Sequence, residues 1–205
     1  MFNRFALLGF TLLVAACTQA PVAQKKEPPK PPEPVGAQKA FFQMYASARS
    51  WAADVAGFQM ISIATKDMTG VKGKYPAWRA VFASPTRRAT KNFVYSAVTE
   101  EGGLSKGITK ESAEDRYEGS RGQNLDWPIQ ALKIDSDAAV ETALAKGKGA
   151  EYSKKNPAIP ITVMLEKIKK FGNPVYRIVW GTSVSNSSFS VYVDASTGVY
   201  LETVR

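Results

Sequence analysis

The chain has no histidine at all and a single cysteine, Cys17, among its 205 residues. Without histidine, both the commonest general base and the commonest metal-ligating side chain are missing, which excludes Ser-His-Asp and Cys-His catalysis and most zinc sites. One cysteine cannot build a disulfide framework or a cysteine metal site, so the folded part must be held together by its core alone. Long apolar runs are scarce as well. The stretch from Phe5 to Ala16 is about a dozen residues, short of the roughly 20 needed to cross a hydrocarbon core. The motifs Ser-x-x-Lys, GxxxxGK[ST] and HExxH and the EF-hand loop are all absent. The resulting expectation is a protein that is not an enzyme, with no cofactor and no metal site.

What is present begins with a leader. A short positive start ending at Arg4 precedes the apolar run, and Val14-Ala15-Ala16 closes it with small residues directly before Cys17. This resembles the bacterial lipobox. The resemblance implies that residues 1–16 are a cleaved signal peptide and that Cys17 becomes the first mature residue, with a diacylglycerol on its sulfur and an acyl group on its amine. Several acyl chains anchor stably where one is marginal. The plain alternative is an ordinary secreted protein in which Cys17 is discarded or idle. By analogy with the Gram-negative sorting rule, Thr18 in place of aspartate after the cysteine points to the outer membrane, facing the periplasm. That location makes the membrane a partner through the lipid and removes nucleic acid from consideration.

Residues 17–36 carry Pro21, Pro28, Pro29, Pro31, Pro32 and Pro34, which deny the segment helix and ladder hydrogen bonds. It reads as an extended tether reaching on the order of 50 to 60 Å at about 3.1 Å per residue. Lys25, Lys26 and Lys30 could brush lipid head groups or cell-wall polymers, although solvation alone also accounts for them. Across the chain, 27 Lys and Arg face 18 Asp and Glu, a formal charge of +9. That excess favours acidic surfaces and solubility alike.

The remaining residues suffice for one ordinary domain or two small ones. An internal echo favours two. Pro76-Ala77-Trp78-Arg79-Ala80-Val81-Phe82 matches Pro174-Val175-Tyr176-Arg177-Ile178-Val179-Trp180, and Val94-Tyr95 and Val191-Tyr192 follow in the same order. Alternation makes both blocks strands, with the large aromatic side chains on one face and Arg79 and Arg177 on the other. Phe41, Met44, Tyr45, Ala48, Trp51, Ala52 and Val55 recur at helical spacing before Gly57, followed by a strand from Phe58 to Ala64. Asp135 or Ser136 caps a second helix that runs to about Lys146 and ends at Gly147. Ile161 to Leu165 fits either helix or strand, and the repeat favours strand. A hairpin joins Phe189–Val193 to Val199–Val204 through Asp194-Ala195-Ser196-Thr197-Gly198. The expected fold class is α+β: two tandem cystatin-like units, residues 37–122 and 123–205, each a helix packed on a three- to four-stranded antiparallel sheet.

With the helix from Ser136, the block from Pro174 to Trp180 and the Asp194–Gly198 turn in hand, roughly residues 130–205 resemble a PepSY domain. That resemblance implies a cystatin-like fold and a non-catalytic module that binds or restrains partner proteins, proteases among them. Residues 37–122 depart from the pattern, because Glu100-Glu101-Gly102-Gly103 stands where the aspartate turn should be. They join the family only through the internal echo.

Candidate partner contacts are Arg87, Arg88 and Lys91, crowded on one hairpin tip, and Arg79 and Arg177 on the sheet face opposite the aromatics. The regular alternation of Trp78, Phe82, Tyr176 and Trp180 makes them core. Glu100-Glu101 and Glu114-Asp115 read as surface charge. The expected function is a lipid-anchored cell-envelope protein that binds another protein or modulates an enzyme. The alternative is a carrier or sensor of an apolar ligand, such as a lipid, held between helix and sheet. Cys17→Ser is expected to leave the precursor unlipidated and to move it out of the membrane fraction; unchanged membrane retention contradicts the anchor.

Overall fold

Alternating apolar positions at the strand period need a cover on one face, and helices with one apolar stripe supply it. The computed structural model describes residues 31–100 and 103–205. The leader and Cys17 lie outside the described residues, as do residues 101–102 of the Glu-Gly turn. Along the chain come α1 (Ala37–Ala48), β1 (Ala56–Ile63), β2 (Ala77–Ser84), β3 (Ala89–Ser96) and β4 (Gly107–Arg116). After two 3-10 turns, Gly119–Arg121 and Ile129–Ala131, follow α2 (Ser136–Lys146), α3 (Gly149–Lys155), β5 (Ile161–Glu166), β6 (Val175–Trp180), β7 (Ser190–Asp194) and β8 (Tyr200–Val204).

The strands form one antiparallel sheet of eight, in the order β4-β3-β2-β1-β5-β6-β7-β8. This corrects the expectation of two tandem helix-on-sheet units. The overturning pairing is β1 with β5, where Gln59, Met60 and Ile61 face Glu166, Leu165 and Met164. The Val163 N–H adds a bond of 3.0 Å to Ser62 Oγ. Because that seam makes the sheet continuous, the residues beneath the helices form a single core, and Pro32–Arg205 is one compact body.

That core fills one face. Phe93, Ala80, Met60, Leu165, Tyr176 and Val193 stand opposite one another in register across β3, β2, β1, β5, β6 and β7, all buried. Over them α1 lays Ala37, Ala40, Phe41, Met44 and Ala48, and α2 lays Ala139, Val140 and Ala143. Phe41 stacks on Trp127 at 5.1 Å and meets Phe82 at 5.0 Å. Tyr152 of α3 stacks on Phe189 at 4.3 Å. The buried polar tips find partners: Trp78 Nε1 donates to the Val35 carbonyl at 2.9 Å, Tyr176 Oη to the Ile134 carbonyl at 2.9 Å, and Trp180 Nε1 to Ser153 Oγ at 2.7 Å. Trp127 Nε1 has no partner among the described residues.

The helices meet at their N-termini. Gly36 precedes α1 and has no side chain to cap it, so the caps come from a distant part of the chain. The Ala37 N–H donates to Ser136 Oγ at 2.8 Å and the Gln38 N–H to Asp135 Oδ1 at 2.9 Å. The same Asp135 oxygen accepts from the Ser136 N–H at 2.7 Å as the cap of α2. Ser136 Oγ in turn donates to the Gly73 carbonyl at 2.7 Å. No side chain fits at Gly36, whose Cβ would strike the Asp135 carboxylate. At Gly73, φ is +80° and a Cβ would lie 2.5 Å from the Ser136 carbonyl oxygen.

The observed α1 starts earlier and stops earlier than the sequence spacing predicts. Ser50 Oγ bonds the Ser47 carbonyl at 2.7 Å and turns the chain, while Trp51 and Ala52 still pack against the core from beyond the helix end. Ile161–Glu166 is a strand. Replacing Ser136 with Ala leaves the buried Ala37 N–H and Gly73 carbonyl without a partner. The expected loss is about 2 kcal/mol or more in urea unfolding, against about 0.5 kcal/mol or less for Glu141→Ala on the exposed side of α2. Equal effects contradict the shared cap.

Candidate functional site

With all three described helices on one side, the other face of the sheet has no helix over it. The register places one residue from each strand on that face in a single row: Thr109, Val94, Arg79, Ile61, Met164, Arg177, Tyr192 and Glu202. The arginines singled out by alternation are therefore brought together on one surface. They are three strand spacings apart, about 14 Å, with Ile61 and Met164 between them.

Their surroundings differ. Arg177 is half-buried: its guanidinium lies over the Tyr192 ring at 5.3 Å and its Nε donates to Ser190 Oγ at 3.3 Å. Phe171, from the β5–β6 connection, packs on the outer side of the same tyrosine at 5.3 Å. Lys170 beside it pairs with Glu202. Glu166 sits next to this group, only 6% exposed. Burial pushes its carboxyl above the usual range, while the Arg177 charge and a bond from Gln59 pull the other way. Burial also pushes up the Tyr192 hydroxyl. Arg79, in contrast, is exposed, and among the described residues it enters no ion pair or cation–π contact.

The hairpin tip between β2 and β3 does gather Arg87, Arg88 and Lys91, but it carries its own counterion. Glu114 of β4 lies 3.3 Å from Arg87 and 3.6 Å from Lys91, and it accepts the Trp51 indole N–H at 2.7 Å. The Trp51 bond, with help from the two cations and against desolvation, holds the Glu114 carboxyl below its usual value. Arg87 also lies over the Trp51 ring at 5.6 Å. Beside it, Asp54 accepts from Ser84 Oγ at 2.6 Å and the Thr86 N–H at 2.8 Å, which lowers its pKa to about 2. Arg88 adopts φ +53° and enters no ion pair among the described residues. The tip is thus fastened by Glu114, which the sequence marks only as surface charge, and by Asp54, to which sequence reading assigned no role.

Trp78, Phe82, Tyr176 and Trp180 are fully buried beneath the helices, so the layer between helices and sheet is filled with side chains. An apolar concavity lies elsewhere. An open groove of about 1110 Å³ runs along the outer flank of α2, lined by Val71, Val140, Leu144 and Ala145 with Lys72 and Glu141 among its charged residues. Among the described residues no group of three acidic or thiol side chains converges as metal ligands, and no helix is long and apolar enough to cross a membrane.

No family model matches the chain, and no curated protein matches it. Among solved structures, the chain is similar to the crystal structure of a putative lipoprotein from Clostridium difficile 630. The identity is 12%, over 80% of this chain and 91% of that one, with a TM-score of 0.45. A likeness at that level carries no argument about this chain.

Glu166 yields a pH dependence. Its folded pKa stands above the unfolded value of about 4.3, so its contribution favours folding below that pH and is lost as pH rises through the folded pKa. Glu166→Gln is expected to raise the melting temperature at pH 7 and to leave it unchanged near pH 3. A destabilised variant at pH 7 would mean that the carboxylate is held by partners that outweigh its burial.

Proposed function

We propose that this chain is a lipid-anchored protein of the bacterial envelope whose body binds another protein and performs no catalysis. The supporting observation is the helix-free sheet face, where the exposed Arg79 shares one row with the partly exposed Ile61 and Val94. A sheet face with a helix on one side only leaves the other available, and arginine on an apolar ground is the composition that anchors protein interfaces. The lipobox-like leader ending at Cys17 supplies the anchor, and the proline-rich tether gives the body reach. The resemblance to the PepSY domain points the same way, toward binding or restraint of a partner, and the missing histidine disfavours turnover. By the residue after Cys17, the anchor belongs to the outer membrane, with the body in the periplasm.

The α2 groove favours a second reading, a carrier of an apolar ligand, in which the ligand sits outside the helix–sheet layer. Native mass spectrometry of the gently purified protein then finds bound lipid, and a ligand-free mass contradicts it.

A photo-crosslinking residue placed at Val94 on the helix-free face, in living cells, tests the protein-binding reading. The expected result is one discrete adduct with an envelope protein identified by mass spectrometry, weaker from the same probe at Glu141 on α2. Repeated recovery of no adduct from either position sinks the proposal.

A further inference from the structure

The two ends of the helix-free row are finished differently. On the β6–β8 side the chain covers itself: Tyr192 lies under the Arg177 guanidinium and Phe171 packs against Tyr192. The cover is made by the short connection from β5 to β6, residues 167–174, whose Lys170 reaches Glu202 on this face. The connection from β1 to β2 goes the other way. Its Gly73 accepts the Ser136 hydroxyl, its Lys74 pairs with Asp137 of α2 at 3.4 Å, and its Tyr75 enters the core. No such cover reaches Arg79.

The positions next to this cation are uncharged, and the Glu111 carboxylate of β4, further out, is held by the Asn92 amide at 2.9 Å. Across from Arg79 stand Ile61 and Val94, and the adjacent positions on the same face are Gln59, Ile63, Val81 and Asn92. Ile61, Ile63, Val81 and Val94 are all partly exposed. A guanidinium ringed by apolar side chains gains most from a carboxylate delivered together with apolar surface, because the ring excludes water from the pair. The Arg177 guanidinium, by contrast, already has an aromatic ring and a serine hydroxyl as partners within the chain.

We propose that the β3–β2–β1 part of the helix-free face binds an acidic, otherwise apolar segment of another protein, with a carboxylate on Arg79 and apolar side chains on Ile61, Ile63, Val81 and Val94. This rests on the protein-binding reading above and names the chemistry of its partner. It also separates the two arginines: Arg79 is the contact, and Arg177 is an internal support.

The test is a methyl NMR titration of the unlipidated mature chain, Cys17→Ser, with three probes. These are a short synthetic peptide alternating valine with glutamate, its counterpart with lysine for glutamate, and phosphatidylglycerol vesicles. The glutamate peptide is expected to shift the methyls of Ile61, Ile63, Val81 and Val94 while the lysine peptide does not. Arg79→Gln is expected to weaken the response about tenfold, and Arg177→Gln to leave it within about twofold, its spectrum reporting that the fold is retained. No response, an equal response to the lysine peptide, equal losses from the two arginine variants, or shifts produced by vesicles alone each overturn the proposal. If the peptide fails while crosslinks in cells form through another surface, this inference falls and protein binding stands. If neither occurs, both fall.

Discussion

The shared cap at Asp135 and Ser136 decides the architecture. One carboxylate and one hydroxyl serve the first turns of both α1 and α2 and hold the β1–β2 connection through Gly73. These groups are nearly a hundred residues apart in the chain, so their meeting requires both helices to lie on the same side of the sheet. Everything peculiar to the other side follows, because a helix fastened here is not available to cover Arg79. Partly buried N-terminal amides are costly to leave unpaired, and two glycines without side chains, Gly36 and Gly73, let the cap close.

The seam between β1 and β5 is the second constraint. It is made by three residue pairs and one serine hydroxyl, yet it turns eight strands into one sheet and carries the central row of the core. Edge exposure is managed in step. β4 ends the sheet with Lys110, Glu111, Glu114, Asp115 and Arg116, a charged and exposed strand that discourages further pairing. The buried Glu166 lies at the seam itself, so the pH at which it ionises bears on the joint that unites the sheet.

Much of the local structure was legible. Alternation in Trp78–Phe82 and Tyr176–Trp180 gave the correct faces for four aromatics and two arginines, and Asp135 with Gly147 marked the ends of α2. The Asp194 turn closes as its composition suggests, with Asp194 Oδ1 accepting from the Ser196 and Thr197 N–H groups and Gly198 at φ +77°. The division into two units was wrong because strand pairing across a hundred residues leaves little trace in composition. The trace that does exist is apolar character on both faces of β1 and β5: Met60 and Ile61, Val163 and Met164. That is how a central strand reads, not an edge. The site was half legible. Charge counting placed three cations on the β2–β3 tip, but only the fold brings Glu114 and Trp51 to them. The inequality of Arg79 and Arg177 comes from the path of two loops, which no periodicity records.

The account stands on one continuous sheet with helices on a single face. The most direct measurement is the set of nuclear Overhauser contacts from the side chains of Ile61 and Met164, which cross-strand pairing places about 5 Å apart at Cβ. The prediction is strong contacts between these two and to Arg79 and Arg177, with none to residues of α1 or α2. Contacts from Ile61 to either helix, or none between Ile61 and Met164, would contradict the continuous sheet and the open face together.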